Sequence, residues 1–265
     1  MALSLDTVTV GVPEVEAARA FYTDAFAATA ADSDAAVLDL YGSGQLALRN
    51  LGELAADTGT EAVTMGFGGH VLSVIVRQPA EVRTLLEAAT GRGATVVKPA
   101  KKELFGEYTA VYRAPDGAVW KLAADTKKDT GPVPDPPEPI ETAVYLGVAK
   151  PKVSKAFYAA LGMSTRHDYG NKFVDFAIAD GECRLGLLPR RALAKDVGVD
   201  EHGEGFSALE LTCTAASRAD VDALLGAVES AGGRVTATAG ESGHGAYAGR
   251  FTDPDGFHWC VTAQA

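Results

Sequence analysis

The chain has 265 residues, and its 35 acidic side chains against 24 basic ones leave a formal charge of −11. That balance argues against nucleic-acid or anionic-membrane partners, which need a basic face that releases counterions. Hydrophobic residues at 47% and charged residues at 22% suit a packed core, so collagen-like, coiled-coil and knottin-like classes are excluded.

In chain order, Leu5 to Val12 alternates, is rich in β-branched residues and predicts a strand. Pro13 then opens a helix over Glu14 to Phe26, with Val15, Ala18, Phe21, Tyr22 and Ala25 on one stripe. Val37 to Tyr41 and Leu46 to Arg49 form a hairpin across Gly42-Ser43-Gly44. His70 to Val76 predicts a further strand, Pro79 to Thr90 a helix stopped by Gly91 and Gly93, and Ala94 to Val97 another strand. Glu107 to Arg113 and Ala118 to Ala123 close the series around the turn Pro115-Asp116-Gly117.

The same plan recurs. Val10-Gly11-Val12 and Phe21-Tyr22 return as Leu146-Gly147-Val148 and Phe157-Tyr158, at an offset of 136. From Leu46-Ala47-Leu48 against Leu185-Gly186-Leu187 onward the offset is 139, and it holds for Tyr108 with Tyr247 and for Trp120 with Trp259. The three extra residues therefore fall in the hairpin Ala177 to Arg184, where a surface turn tolerates them. Between the copies, five prolines from Pro132 to Pro139 mark a semi-rigid linker. The chain thus divides into residues 1–124, a Pro-rich linker 125–139, and residues 140–265. Each copy holds two βαβββ modules.

VTVGVPEVEAARAFY with FGEYTAVYRAPDGAVWKL, and VYLGVAKPKVSKAFY with HGAYAGRFTDPDGFHWCV, together resemble the vicinal oxygen chelate superfamily. That group holds glyoxalase I, the extradiol dioxygenases, methylmalonyl-CoA epimerase and the bleomycin-resistance proteins. The resemblance implies an α+β fold of two tandem glyoxalase-like domains. In each, strands curl into a half-barrel of mixed sheet with the ligand on its concave face and helices on its convex face.

Metal-using members place ligands, typically His and Glu, at four strand positions, so that a divalent ion can bind two substrate oxygens. The resemblance carries these to Thr7, Ala47, Val71 and Lys121 in the first copy, and to Ala143, Gly186, Glu210 and Cys260 in the second. Combined across the copies they become Thr7, Ala47, Glu210, Cys260 and Ala143, Gly186, Val71, Lys121. Neither arrangement keeps the family's set, and a one-residue slip to His70 restores one ligand of four. No cofactor is therefore predicted, with a divalent metal as the alternative.

Strand parity sends Glu210, Thr212 and Thr214 to the pocket and Leu209, Leu211, Cys213 and Ala215 to the helices. His258 and Cys260 share a parity, Thr7 and Thr9 lie on the opening strand, and Lys121 is a candidate base or anion anchor. These residues and Tyr247 are the ligand-pocket candidates, and no catalytic residue is assigned. Tyr108, Phe105, Tyr169, Phe173 and Tyr247 lie in segments able to line the cavity mouth and sandwich a flat ligand. His244 falls in a Gly-rich loop, and His167 and His202 in loop-like sequence with no role. Trp120 and Trp259 face the helices.

The first expectation is a metal-free module that binds or sequesters a small organic molecule, as bleomycin-resistance proteins do. The alternative is a glyoxalase- or dioxygenase-like lyase, isomerase or oxidoreductase with an atypical metal site or metal-free acid/base catalysis. A small organic ligand is the expected partner, with neither nucleic acid nor membrane, for a monomer or homodimer. Met1 to Leu5 lacks the regions of a signal peptide, and Cys183, Cys213 and Cys260 match no disulfide or metal-knuckle spacing, so a cytoplasmic setting is expected.

Overall fold

A computed structural model describes residues 2–31, 34–103, 107–241 and 245–264. Phe105 and His244 lie outside the described residues. The first module runs through β1 (Thr7–Val12), α1 (Val15–Phe26), β2 (Thr29–Ala31), β3 (Asp34–Asp39), β4 (Gln45–Asn50) and α2 (Leu51–Thr58). The second holds β5 (Thr64–Gly66), β6 (His70–Val76), α3 (Pro79–Gly91), β7 (Thr95–Lys102), β8 (Tyr108–Arg113) and β9 (Val119–Ala124). After the linker come β10 (Glu141–Val148), α4 (Pro151–Ala160), β11 (Thr165–Asp168), β12 (Val174–Phe176), β13 (Arg184–Pro189) and α5 (Arg190–Val197). The last module contains β14 (Gly203–Gly205), β15 (Leu209–Thr214), α6 (Arg218–Ala231), β16 (Arg234–Glu241), β17 (Ala246–Thr252) and β18 (His258–Gln264).

Local chemistry sets the helix ends. Asn50 accepts from the N–H groups of Gly52 and Glu53 and caps α2, which Gly59 stops at φ 70°. Ser217 accepts from the N–H of Asp220 to start α6, and Gly232 ends it at φ 103°. α2 and α5 are additions to the expected plan, and β7 extends past the predicted Val97 to Lys102.

Two eight-stranded sheets result, in the orders β16-β17-β18-β15-β1-β4-β3-β2 and β11-β12-β13-β10-β6-β9-β8-β7. Each sheet joins modules from both copies: the first and fourth modules share one, the second and third the other. The copies meet antiparallel at the sheet centres, Thr9 opposite Glu210 and Tyr145 opposite Val71.

One face of each sheet packs into a common core. Helices α1 and α6 cover the first sheet, α3 and α4 the second, with α1 against α3 and α4 against α6. Here Trp120 and Trp259 are fully buried, as parity predicts. Trp120 donates to the Tyr22 hydroxyl at 3.2 Å, which donates to Asp116 at 2.7 Å. In the second copy Trp259 reaches Tyr158 at 3.3 Å and Tyr158 reaches Asp253 at 2.6 Å. The remaining helices take the opposite faces: α2 rests on β1 and β4, and α5 on β10, β13 and β6. Leu193, Ala194 and Val197 of α5 bury against Val71, Val111 and Val119, which have concave-face parity.

The linker is held rather than loose. The Gln78 side chain, 3% exposed, accepts from the N–H groups of Thr130 and Gly131 and donates to the carbonyls of Gly131 and Pro132. Asp129 accepts from the Ala80 N–H at the start of α3 and pairs with Arg83 at 2.9 Å.

Candidate functional site

The concave face of the second sheet encloses a cavity of about 560 Å³. Its floor comes from β6, β9, β10 and β13, and its outer wall from β11, β12 and the turn between them. Tyr145 lies over Gly186, where an added Cβ would stand 2.5 Å from the ring, so only glycine there leaves room for it. Phe173 follows at 6.4 Å from Tyr145, and Tyr169 at 6.3 Å from Phe173. The imidazole of His167 lies parallel to Tyr169 within 7°, at 6.3 Å. Tyr169 is 64% exposed, an unusual state for a large ring, and it extends the aromatic wall to the mouth.

Charge surrounds this wall in defined pairs. Arg184, 5% exposed, donates from Nε and Nη2 to both Glu141 oxygens and from Nη1 to the Phe176 carbonyl at 3.0 Å. Lys121 pairs with Asp196 of α5 at 2.8 Å and lies 3.8 Å from Glu107. Burial, with Glu141 and Glu107 nearby, raises the pKa of the Tyr145 hydroxyl, so this group remains a protonated donor.

The first sheet has a different concave face. Glu210, 4% exposed, accepts from Arg250 Nε at 2.9 Å; Arg250 lies 3.3 Å from Asp57 of α2, which Arg49 joins at 2.6 Å. Burial raises the Glu210 carboxyl, and the Arg250 guanidinium pulls against it. Thr9, Ala47, Glu210 and His258 share one rung of the sheet, with Thr7, Gln45, Thr212 and Cys260 on a neighbouring one. Thr7 donates to Gln45 at 3.2 Å, and Thr214 is exposed, its N–H bonded to Asp6.

The predicted pocket residues are therefore divided. Lys121 lines the second sheet's cavity with Tyr169 and Phe173, while Glu210, Thr212, Thr7, Thr9 and Cys260 occupy the other sheet. His258 stands edge-on to Phe206 at 5.6 Å and lines a loop-walled cavity of about 580 Å³. Tyr247 lies on the helix side instead of the cavity mouth, because its hydroxyl donates to Asp222 of α6 and Arg218 stacks on its ring. Tyr108 is held the same way by Arg83. Sequence reasoning missed Tyr145, His167, Asp175 and Arg184. Alternation along Glu141, Ala143 and Tyr145 would have placed Tyr145 on the concave face.

The family's four metal positions fit a divalent ion in neither sheet. In the second sheet the positions Ala143, Gly186, Val71 and Lys121 offer no carboxylate, imidazole or thiolate, Tyr145 covers Gly186, and Lys121 repels a cation. In the first, Arg250 holds Glu210, and burial pushes the Cys260 thiol up to about 12, away from the thiolate a metal needs. Among the described residues no three His, Cys, Asp or Glu side chains gather as a metal-holding group.

The Glyoxalase/Bleomycin resistance protein/Dioxygenase superfamily model matches residues 4–122 and 142–261, so the chain belongs to that family. Glyoxalase I from Zea mays is 18% identical, with a TM-score of 0.64 over 99% of this chain and 92% of that one. A dioxygenase-like protein from Bacillus subtilis subsp. subtilis str. 168 is 14% identical, with a TM-score of 0.64 over 99% of this chain and 86% of that one. At these identities the likeness concerns the fold. Among curated proteins none matches this chain. Among the described residues no helix is long and apolar enough to cross a membrane.

Proposed function

We propose that the protein binds a small planar organic molecule in the concave cavity of the second sheet, without a divalent metal. The observation that carries this reading is the aromatic wall of Tyr145, Phe173, Tyr169 and His167 along one side of an approximately 560 Å³ space. Rings of this kind bury a flat ligand's faces, and the flanking ion pairs fix its orientation. Sequestration of such a molecule is the role it suits, in a reducing cytoplasm that keeps the buried Cys183, Cys213 and Cys260 as free thiols.

Native mass spectrometry and calorimetric titration with a panel of bicyclic aromatic compounds test the proposal. Stoichiometric binding that weakens about fivefold or more in Tyr169→Ala is expected, because stacking on an exposed ring contributes about 1 kcal/mol or more. Equal affinity in the variant would move the ligand elsewhere. A stoichiometric transition-metal increment on the purified protein would reinstate the metal-dependent enzyme.

A further inference from the structure

We infer that His167 selects the ligand of this cavity and admits planar aromatic molecules that carry an N–H or O–H donor on the ring edge. The inference rests on the cavity's being the ligand site. β11 pairs with β12 at a bulge, and His167 stands directly opposite Asp175. The carboxylate of Asp175, whose side chain is 6% exposed, accepts the main-chain N–H of His167 at 2.8 Å and meets its Nδ1 at 2.9 and 3.1 Å. An ionised carboxylate only accepts, so the proton of the neutral imidazole is on Nδ1 and Nε2 keeps its lone pair.

Arg184 flanks Asp175 from behind at 3.7 Å and steadies the pair. Among the described residues no protein group bonds Nε2. Pinning β11 to β12 requires the Nδ1 edge alone; the imidazole side chain is nevertheless 44% exposed and lines the cavity. The planes of His167 and Tyr169 are parallel within 7°, and those of Tyr169 and Phe173 within 24°. The Nε2 lone pair lies in the imidazole plane, so a ligand ring lying edge to edge with His167, in a plane parallel to that of Tyr169, points an edge donor along it.

Calorimetric titration with indole and 1-methylindole isolates the donor, since the two share their ring system. Indole is expected to bind the wild-type protein about five- to tenfold more tightly, the ratio a single hydrogen bond supplies. That advantage should vanish in His167→Phe, which keeps a stacking ring, while Tyr169→Ala weakens both ligands. Equal affinities in the wild-type protein would overturn the selection by His167 and leave the cavity as the ligand site. Failure of both indoles and of every other aromatic probe to bind would overturn the cavity reading itself. The wild-type comparison needs no variant, so it stands even where His167→Phe misfolds.

Discussion

Replacing Asp253 by Asn removes one ionisable group from the core and should change how stability follows pH. The carboxyl is 3% exposed and accepts from Tyr158 at 2.6 Å and from the N–H groups of Asp255 and Phe257 at 2.9 and 2.8 Å. Burial outweighs these donors and pushes its pKa up to about 7, against about 3.9 for an unfolded aspartate. Because the folded state holds this proton more tightly, the group's stabilisation is full below about pH 4 and is lost as pH rises through about 7. About three pH units at about 1.4 kcal/mol each set an upper value of about 4 kcal/mol. Asparagine keeps the volume and an oxygen for the two N–H donors, and the Tyr158 hydroxyl can rotate to accept from the amide. The variant should be about 1 kcal/mol less stable near pH 4 and as much as about 3 kcal/mol more stable near pH 8. Urea unfolding followed by circular dichroism at several pH values measures this, and the difference between the two proteins cancels their shared titrations. Parallel curves would refute the reasoning, because they would show that the three donors rather than burial set the ionisation.

Gln78→Ala should free the linker, since one buried amide makes five hydrogen bonds to residues 130–132. A loss of about 1–3 kcal/mol and faster tryptic cleavage at Lys127 and Lys128 are expected, and unchanged cleavage would assign the linker's order to its prolines alone. Arg250→Met strips Glu210 of its buried partner and should cost about 3 kcal/mol in chemical denaturation, with much of it recovered in Arg250→Met/Glu210→Gln. Ligand binding by the second sheet should be unaffected; weaker binding would tie the two concave faces together.

The repeat and its strand parities were legible because period-two alternation is strict in these segments. Leu209, Leu211 and Cys213 are buried on the core face, and Thr212 faces the other way. The α2 helix had a signal that was passed over: Asn50 as cap, Glu53 three residues later and Gly59 as stop. The exchange of modules between copies had none, since either pairing buries the same apolar strand faces. His167 looked like loop because its strand is four residues long and its partner Asp175 lies across a hairpin. The aromatic segments holding Tyr169 and Phe173 were readable from composition, whereas Tyr108 and Tyr247 were taken to the helix side by Arg83, Arg218 and Asp222, contacts made across elements.

The two concave faces come from similar sequences and differ in where charge is placed. In the first sheet Arg250 and Arg49 meet Glu210 and Asp57 above the central strands, so a ligand reaching that floor must break ion pairs whose partners would be left unpaired. In the second, the position equivalent to Glu210 is Val71 and that equivalent to Ala47 is Gly186. Tyr145 therefore lies over Gly186, and the charges beside it, Arg184 with Glu141 and Lys121 with Asp196, are already paired with one another. A floor whose charges are already paired costs little to desolvate, and a planar ligand replaces water there without orphaning a charge. The same physics explains why the residue most suggestive in the sequence, Glu210, is placed where it stabilises the protein's own structure, while the open cavity is built from Tyr145, Phe173, Tyr169 and His167.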